Sequence, residues 1–288
     1  MSTFSRANRI WRKACYRLYS DLLMPNRLDL FDRLLQTAID CGYETHSILS
    51  FWQLLEAGRR LSGKKYLILR HDVDTDAATA CRMWGLERKR DVLSSFYFRL
   101  STLSPSLMKE MHASGVEASY HYEEVATVSK HKGLTTVDDV YHELARMREM
   151  FRLNLFRLRE QTGLPMLSAA SHGDFTNRKL GIPNTVILAD NAFRNEVDIK
   201  VEAYDQALMS HVTSRHSDKA YPVFWAPDDP LSAFRRGEKV VHILTHPRQW
   251  HAAPSVNLSD DLSRAWEGAR YCLKAARRSR NLDGAPLN

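Results

Sequence analysis

The chain has 288 residues, 44% of them hydrophobic and 26% charged, with a formal net charge of +7. That length and balance fit a folded protein with one large core and exclude bulk disorder. The excess charge is modest and gathers toward the ends (Arg6, Arg9, Arg12, Lys13 and Arg17; Arg270, Lys274, Arg277, Arg278 and Arg280), with no aromatic-interleaved basic motif between them, so no nucleic-acid partner is expected.

No stretch reaches the roughly 20 apolar residues of a spanning helix, and no uninterrupted apolar run follows the N-terminus, so no integral membrane segment is expected and the expected location is cytoplasmic. The first 25 residues are basic with interleaved Ile10, Trp11, Tyr16, Leu18 and Tyr19, and read as a helix with Trp11 packed inward. A second helix carries Leu28, Phe31, Leu34, Leu35 and Ala38 and closes at Gly42. Then the period changes. Tyr66 to Leu69 is a short apolar run of the kind buried on both faces of a parallel sheet. Further strands are expected at 95–98, 116–120, 166–170, 185–188, 222–225 and 240–244. Helices are expected at 76–90, 106–113 and 137–161. A last one at 260–279 is expected to bury Leu262, Ala265, Trp266, Ala269 and Leu273. Cys15, Cys41, Cys81 and Cys272 form no CxxC pair and read as small buried hydrophobes. Strands alternating with helices imply parallel β/α units with right-handed crossovers. The expected organisation is one compact domain, with residues 1–60 a helical addition to a β/α barrel over 61–288.

In parallel β/α folds, chemistry collects where strands end. Four predicted strands end in metal-type residues: His71-Asp72-Val73-Asp74, His121-Tyr122-Glu123-Glu124, Ser171-His172-Gly173-Asp174 and Thr245-His246-Pro247. Any one histidine would ordinarily be structural; four such ends together point to a site. Asp72 and Asp74 alternate, so an extended chain turns both to one side, and two carboxylates that close favour a cation between them. Asp228-Asp229 is bracketed by Pro227 and Pro230 and reads as a rigid turn instead.

These runs, with Leu69-Arg70 before the first and Leu244 before the last, resemble a divergent branch of the polysaccharide deacetylase superfamily, carbohydrate esterase family four-like enzymes on a distorted (β/α)7 barrel. The resemblance extends from about Leu28 to Trp250 and is most specific at Arg70-His71-Asp72-Val73-Asp74. It implies that Asp72 is the catalytic base, Asp74 a metal ligand, His121 a second ligand and His246 the general acid. The family's second motif is His-x-x-x-His; here its second histidine falls on Val125, which cannot ligate. His172 is the expected replacement, with Glu124 the alternative. Arg70 or Arg99 would orient the catalytic aspartate. Tyr122, Arg99, Asn177 and Trp225 are the expected substrate contacts, because aromatic faces stack on sugar rings and the others offer hydrogen bonds. Mixed nitrogen and oxygen ligation makes zinc the first expectation among divalent metals.

The implied activity is metal-dependent removal of an N-acyl group, acetyl first, from an amino sugar in surface-polysaccharide or nucleotide-sugar metabolism. A carbohydrate is thus the expected partner. The alternatives are an amidohydrolase acting on a non-sugar carbon–nitrogen bond, and an inactive glycan-binding protein.

Overall fold

The computed structural model describes residues 3–59 and 61–283, with side chains at all of these except 3–7, 9, 10, 13 and 279–283. Arg6, Arg9, Ile10, Lys13 and Arg280, singled out above, therefore lie outside the described side chains. The strands are β1 (Tyr43–His46), β2 (Lys65–Val73), β3 (Ser95–Phe98), β4 (Glu117–Tyr122), β5 (Ser168–Ser171), β6 (Val201–Glu202), β7 (Ser214–Asp218), β8 (Trp225–Ala226) and β9 (Val240–Thr245). The chain divides into two compact units: residues 1–119 with 206–258, and residues 120–205 with 259–288. Among the described residues no helix is long and apolar enough to cross a membrane.

In the first unit β2 is the central strand. It runs parallel to β3, to β9 and, through its first residues, to β1; β9 continues to β7 in parallel. β8 is antiparallel to β7, so the sheet is mainly rather than wholly parallel. Alternation along β2 sorts its side chains. Leu67 and Leu69, with Val241 and Ile243 of β9, join Phe31, Leu34, Met83 and Phe234 in one apolar core cluster. Arg70 and Asp72 alternate with that set and emerge on the other face, toward the strand's end. The 43–46 segment, read above as part of a helical region, is a strand because it finds pairing partners at Lys65–Ile68.

In the second unit β4, β5 and β6 run parallel, with His121 opposite Ala170 and Ser168 opposite Val201. The helix Leu144–Thr162 buries Met147, Phe151, Leu155 and Leu158 against this layer, as its spacing predicts, although a break at Glu143 separates it from Val137–His142. Residues 185–188, expected as a strand, lie in a 3-10 helix, Asn184–Ala189. A threonine and three apolar residues suit either state; here the buried Asn184 side chain accepts hydrogen bonds from Val125 and Ala126 N–H and holds the turn. Residues 222–225 reduce to the two-residue β8.

Three expectations about burial are overturned. Trp11 is 70% exposed, not packed. Cys15, Cys81 and Cys272 are exposed and Cys41 is half-buried. The C-terminal helix, Pro254–Asp283, turns Leu262, Trp266 and Leu273 to solvent together with Ala265 and Ala269, and buries Tyr271 and Ala275 in their place.

Candidate active site

The Asp72 carboxylate ends β2 in a bidentate clamp. Arg70 Nε and Nη2 donate to its two oxygens at 2.7 and 2.8 Å, with both side chains almost fully buried. A bidentate fork of this kind fixes the plane of the carboxylate. Arg70 therefore orients Asp72. Arg99, the other candidate, donates to the backbone carbonyl of Asp74 at 3.1 Å, two residues beyond Asp72 at the same strand end. Beyond Val73 the chain leaves the extended form, with Asp74 N–H donating to Asp72 C=O at 3.0 Å.

His71 pairs with Thr245 in the β2–β9 register, so Asp72 and His246 are the next residues along two adjacent parallel strands. His246 is held by a residue the sequence reading missed. Asp218, at the end of β7, binds His246 Nδ1 at 2.6 Å through one oxygen; its other oxygen accepts from His246 N–H at 2.7 Å and Trp250 Nε1–H at 3.0 Å. Burial pulls the imidazole pKa down, but the charge of Asp218, its hydrogen bond, and the charges of Asp74 and Asp72 outweigh it and raise the pKa to about 9. With Nδ1 committed, Nε2 is the nitrogen that can deliver a proton. No sequence signal marked Asp218: the Ser-Arg-His-Ser-Asp of β7 has no apolar alternation.

His71 has a different role. It lies on the opposite face of β2, stacked on Phe96, with Nε2 2.6 Å from Glu87 and Nδ1 bonded to Thr245 Oγ1. This is a satisfied structural histidine.

In the second unit, His121 and His172 end β4 and β5 as neighbours. Their rings meet edge to face with centroids 5.2 Å apart, and each turns a ligand nitrogen within 4.8 Å of the other's. His121 Nδ1 lies 2.9 Å from the Ala170 carbonyl, a contact that makes Nδ1 the protonated nitrogen and leaves Nε2 as the electron-pair donor. His172 Nδ1 faces Glu123 Oε2 at 3.4 Å. Glu124, the alternative ligand, is turned into the core. It accepts from Tyr120 Oη–H and from Asn154 at 2.9 Å, and burial raises its pKa to about 7 in spite of those bonds. Val125 is buried and offers no donor. Glu123, His172 and Asp174 form a second group of closely spaced ligand atoms. Asp174, however, already caps the helix Phe175–Leu180 by accepting from Thr176 N–H and pairs with Lys130 at 3.1 Å.

The expected substrate residues fare unevenly. Tyr122 is wholly buried, its ring against Phe151 and its hydroxyl 3.4 Å from Glu202, so it packs the core. Asn177 bonds through its amide to Ile182 C=O, Asp174 N–H and Asn184, and it also lines a cavity beside His172. Trp225 is half-buried and packs edge-on against Trp250. A cavity of about 480 Å³ opens beside His172, walled also by Gly173, Arg178, Pro183 and Tyr204.

No family model matches the chain, and no curated protein matches it. Among solved structures, the chain is similar to the Streptococcus pyogenes deacetylase PplD in complex with acetate. The TM-score is 0.41 at 16% identity, over 77% of this chain and 84% of that one. A likeness at that score decides neither fold nor chemistry.

Proposed function

We propose that this chain is a metal-dependent hydrolase that removes an N-acyl group, acetyl first, from an amino sugar. The observation that carries the proposal is the pairing of acid and base: an Arg70-clamped Asp72 and an Asp218-bound His246 at the ends of adjacent strands. Amide hydrolysis requires both. A base must take the proton of the attacking water, and an acid must protonate the departing amine, which is too basic to leave otherwise. Asp72, fixed by the Arg70 fork, is aligned for the first task. His246, held as imidazolium, suits the second.

The ligand reading assigns Asp74, His121 and His172 to one divalent cation, zinc first. One carboxylate and two imidazoles are compatible with a divalent metal, and the Ala170 contact turns His121 Nε2 outward as a ligand requires. Glu123 beside His172 would then set that ring's tautomer. A cation held there supplies Lewis acidity to the carbonyl and lowers the pKa of a nearby water. The cavity beside His172, with the Arg178 and Tyr204 walls, is the proposed seat for the sugar. It lies within the usual ligand-pocket range of roughly 300–1,000 Å³.

The test combines metal analysis of the purified protein with acetate release from N-acetylated amino sugars. Asp72→Asn and His246→Ala should each cut turnover by about 10²–10⁴-fold while metal content stays at the wild-type level. Asp74→Asn should lose metal and activity together. If Asp72→Asn empties the metal site, the roles of the two aspartates are reversed. Protein that carries no metal and binds glycans without releasing an acyl group would replace the hydrolase reading with that of a glycan-binding protein.

A further inference from the structure

We propose that the C-terminal helix Pro254–Asp283 docks the protein on an anionic lipid surface through its outward apolar stripe. The inference is independent of the hydrolase reading.

A helix packed on a globular protein ordinarily turns its apolar face inward and its charges to water. Here the order is inverted. Leu262, Trp266, Ala269 and Leu273 recur at spacings of four, three and four, which places them on one face. That face is solvent: Leu262 is 63% exposed, Trp266 66% and Leu273 63%. Single exposed hydrophobes are ordinary, but a continuous stripe is not. At about 1.5 Å per residue it runs for roughly 16 Å along the helix.

The inward face is fixed by specific bonds, so the helix is not poised to roll over and bury the stripe. Tyr271 is buried and its hydroxyl donates to the Leu134 carbonyl at 2.7 Å. Lys274 donates to the His131 carbonyl at 2.7 Å, Lys130 pairs with Glu267 at 2.7 Å and Arg278 with Asp139 at 2.7 Å.

Charge identifies the occupant. Exposed Arg270 and Arg277 lie four residues beyond Trp266 and Leu273, beside the stripe, and the chain as a whole carries +7. Apolar side chains flanked by arginines are the pattern of a helix lying in the interface of an anionic bilayer, with Trp at headgroup depth. A second copy of the chain is a poorer fit. Self-pairing through the stripe would bring arginines toward arginines, and a handful of residues on one helix is well short of the ~20–30 per side of a stable interface.

The test is vesicle co-sedimentation of the full chain. The vesicles contain either equal parts phosphatidylglycerol and phosphatidylcholine or phosphatidylcholine alone. Binding is expected to the anionic vesicles, to weaken as salt is raised, and to be much weaker on phosphatidylcholine. Arg270→Gln with Arg277→Gln should lower the partition coefficient by roughly fivefold per arginine. The triple variant Leu262→Ser, Trp266→Ser and Leu273→Ser should lower it at least tenfold. These side chains are exposed, and an unchanged far-UV spectrum and melting profile would confirm that fold is retained. Absence of wild-type binding to anionic vesicles, or binding that the triple variant leaves unchanged, overturns the proposal. So does a wild-type dimer in sedimentation equilibrium that the triple variant converts to monomer, since the stripe's occupant would then be a second copy.

Discussion

At the scale of single residues, the His246–Asp218 pair fixes the orientation and the proton affinity of the imidazole. Asp218 spends both oxygens on three donors, so the imidazole is held in one orientation with Nδ1 engaged and Nε2 on the far side of the ring. The pair predicts that, in chelator-treated protein, the His246 ring signal titrates near pH 9 by NMR. Asp218→Asn should bring it back toward the ordinary 6.5. A titration already near 6.5 in the unsubstituted protein would show that Asp218 does not hold the proton. His246 was legible in the sequence because an apolar run leads straight into it. Asp218 was not, because it acts from a strand with no pattern. The same contrast separates Glu123 from Glu124. Adjacent in sequence and identical in chemistry, one faces His172 and the other Tyr120, and only the path of the backbone decides which is which.

At the scale of elements, the C-terminal helix is located by a close approach as well as by bonds. Gly133 ends the helix Glu124–Lys132 with φ +67°, and a Cβ there would stand 2.8 Å from the backbone carbon of Lys274. Two costs follow from adding a methyl group: the left-handed backbone strains an L-residue, and the neighbouring helix must move. Gly133→Ala should therefore destabilise the protein by about 2–4 kcal/mol in chemical denaturation. It should also raise hydrogen exchange in the turns around Tyr271 more than in β2. A variant as stable as the wild type would mean that this approach is not a constraint. Elements with strong periodicity, such as β2, β9 and the Leu144–Thr162 helix, were readable from sequence. β6 and β7 were not, being short or polar, and they exist because a neighbouring strand supplies their hydrogen bonds.

For the whole molecule, buried titrating groups shape stability against pH, and their signs oppose. His242, on β9, is fully buried, and neither ring nitrogen has a hydrogen-bond partner among the described residues. Burial, with the charges of Arg70 and Arg215, lowers its pKa to about 3. The unfolded chain takes up that proton first, so stability falls as pH drops from 6.5 toward 3, by up to about 1.4 kcal/mol per pH unit. Glu124 has the opposite sign. Its pKa is raised from 4.5 to about 7, so stability falls as pH rises through that interval. His246 adds stability that is complete below 6.5 and is lost as pH rises through about 9. The expected curve for metal-free protein is nearly flat from 4.5 to 6.5, where His242 and Glu124 offset one another, and falls on either side. His242→Leu should convert the flat stretch into one that rises toward acid. A variant curve parallel to the wild type in denaturant titrations would remove His242 from this account.

By itself the sequence determined the alternation of strands and helices, the burial of β2 on both faces, and which strand ends carry acids and histidines. Those are local properties, written in periods of two and 3.6 and in the order of residues along one strand. Tertiary structure decided which carboxylate meets which ring, which glutamate is buried, and that the last helix turns its apolar side outward. Hydrophobicity states only that a residue gains by burial. Whether a partner surface exists to bury it, and which distant side chain lies within 3 Å, depends on the path of the chain through space.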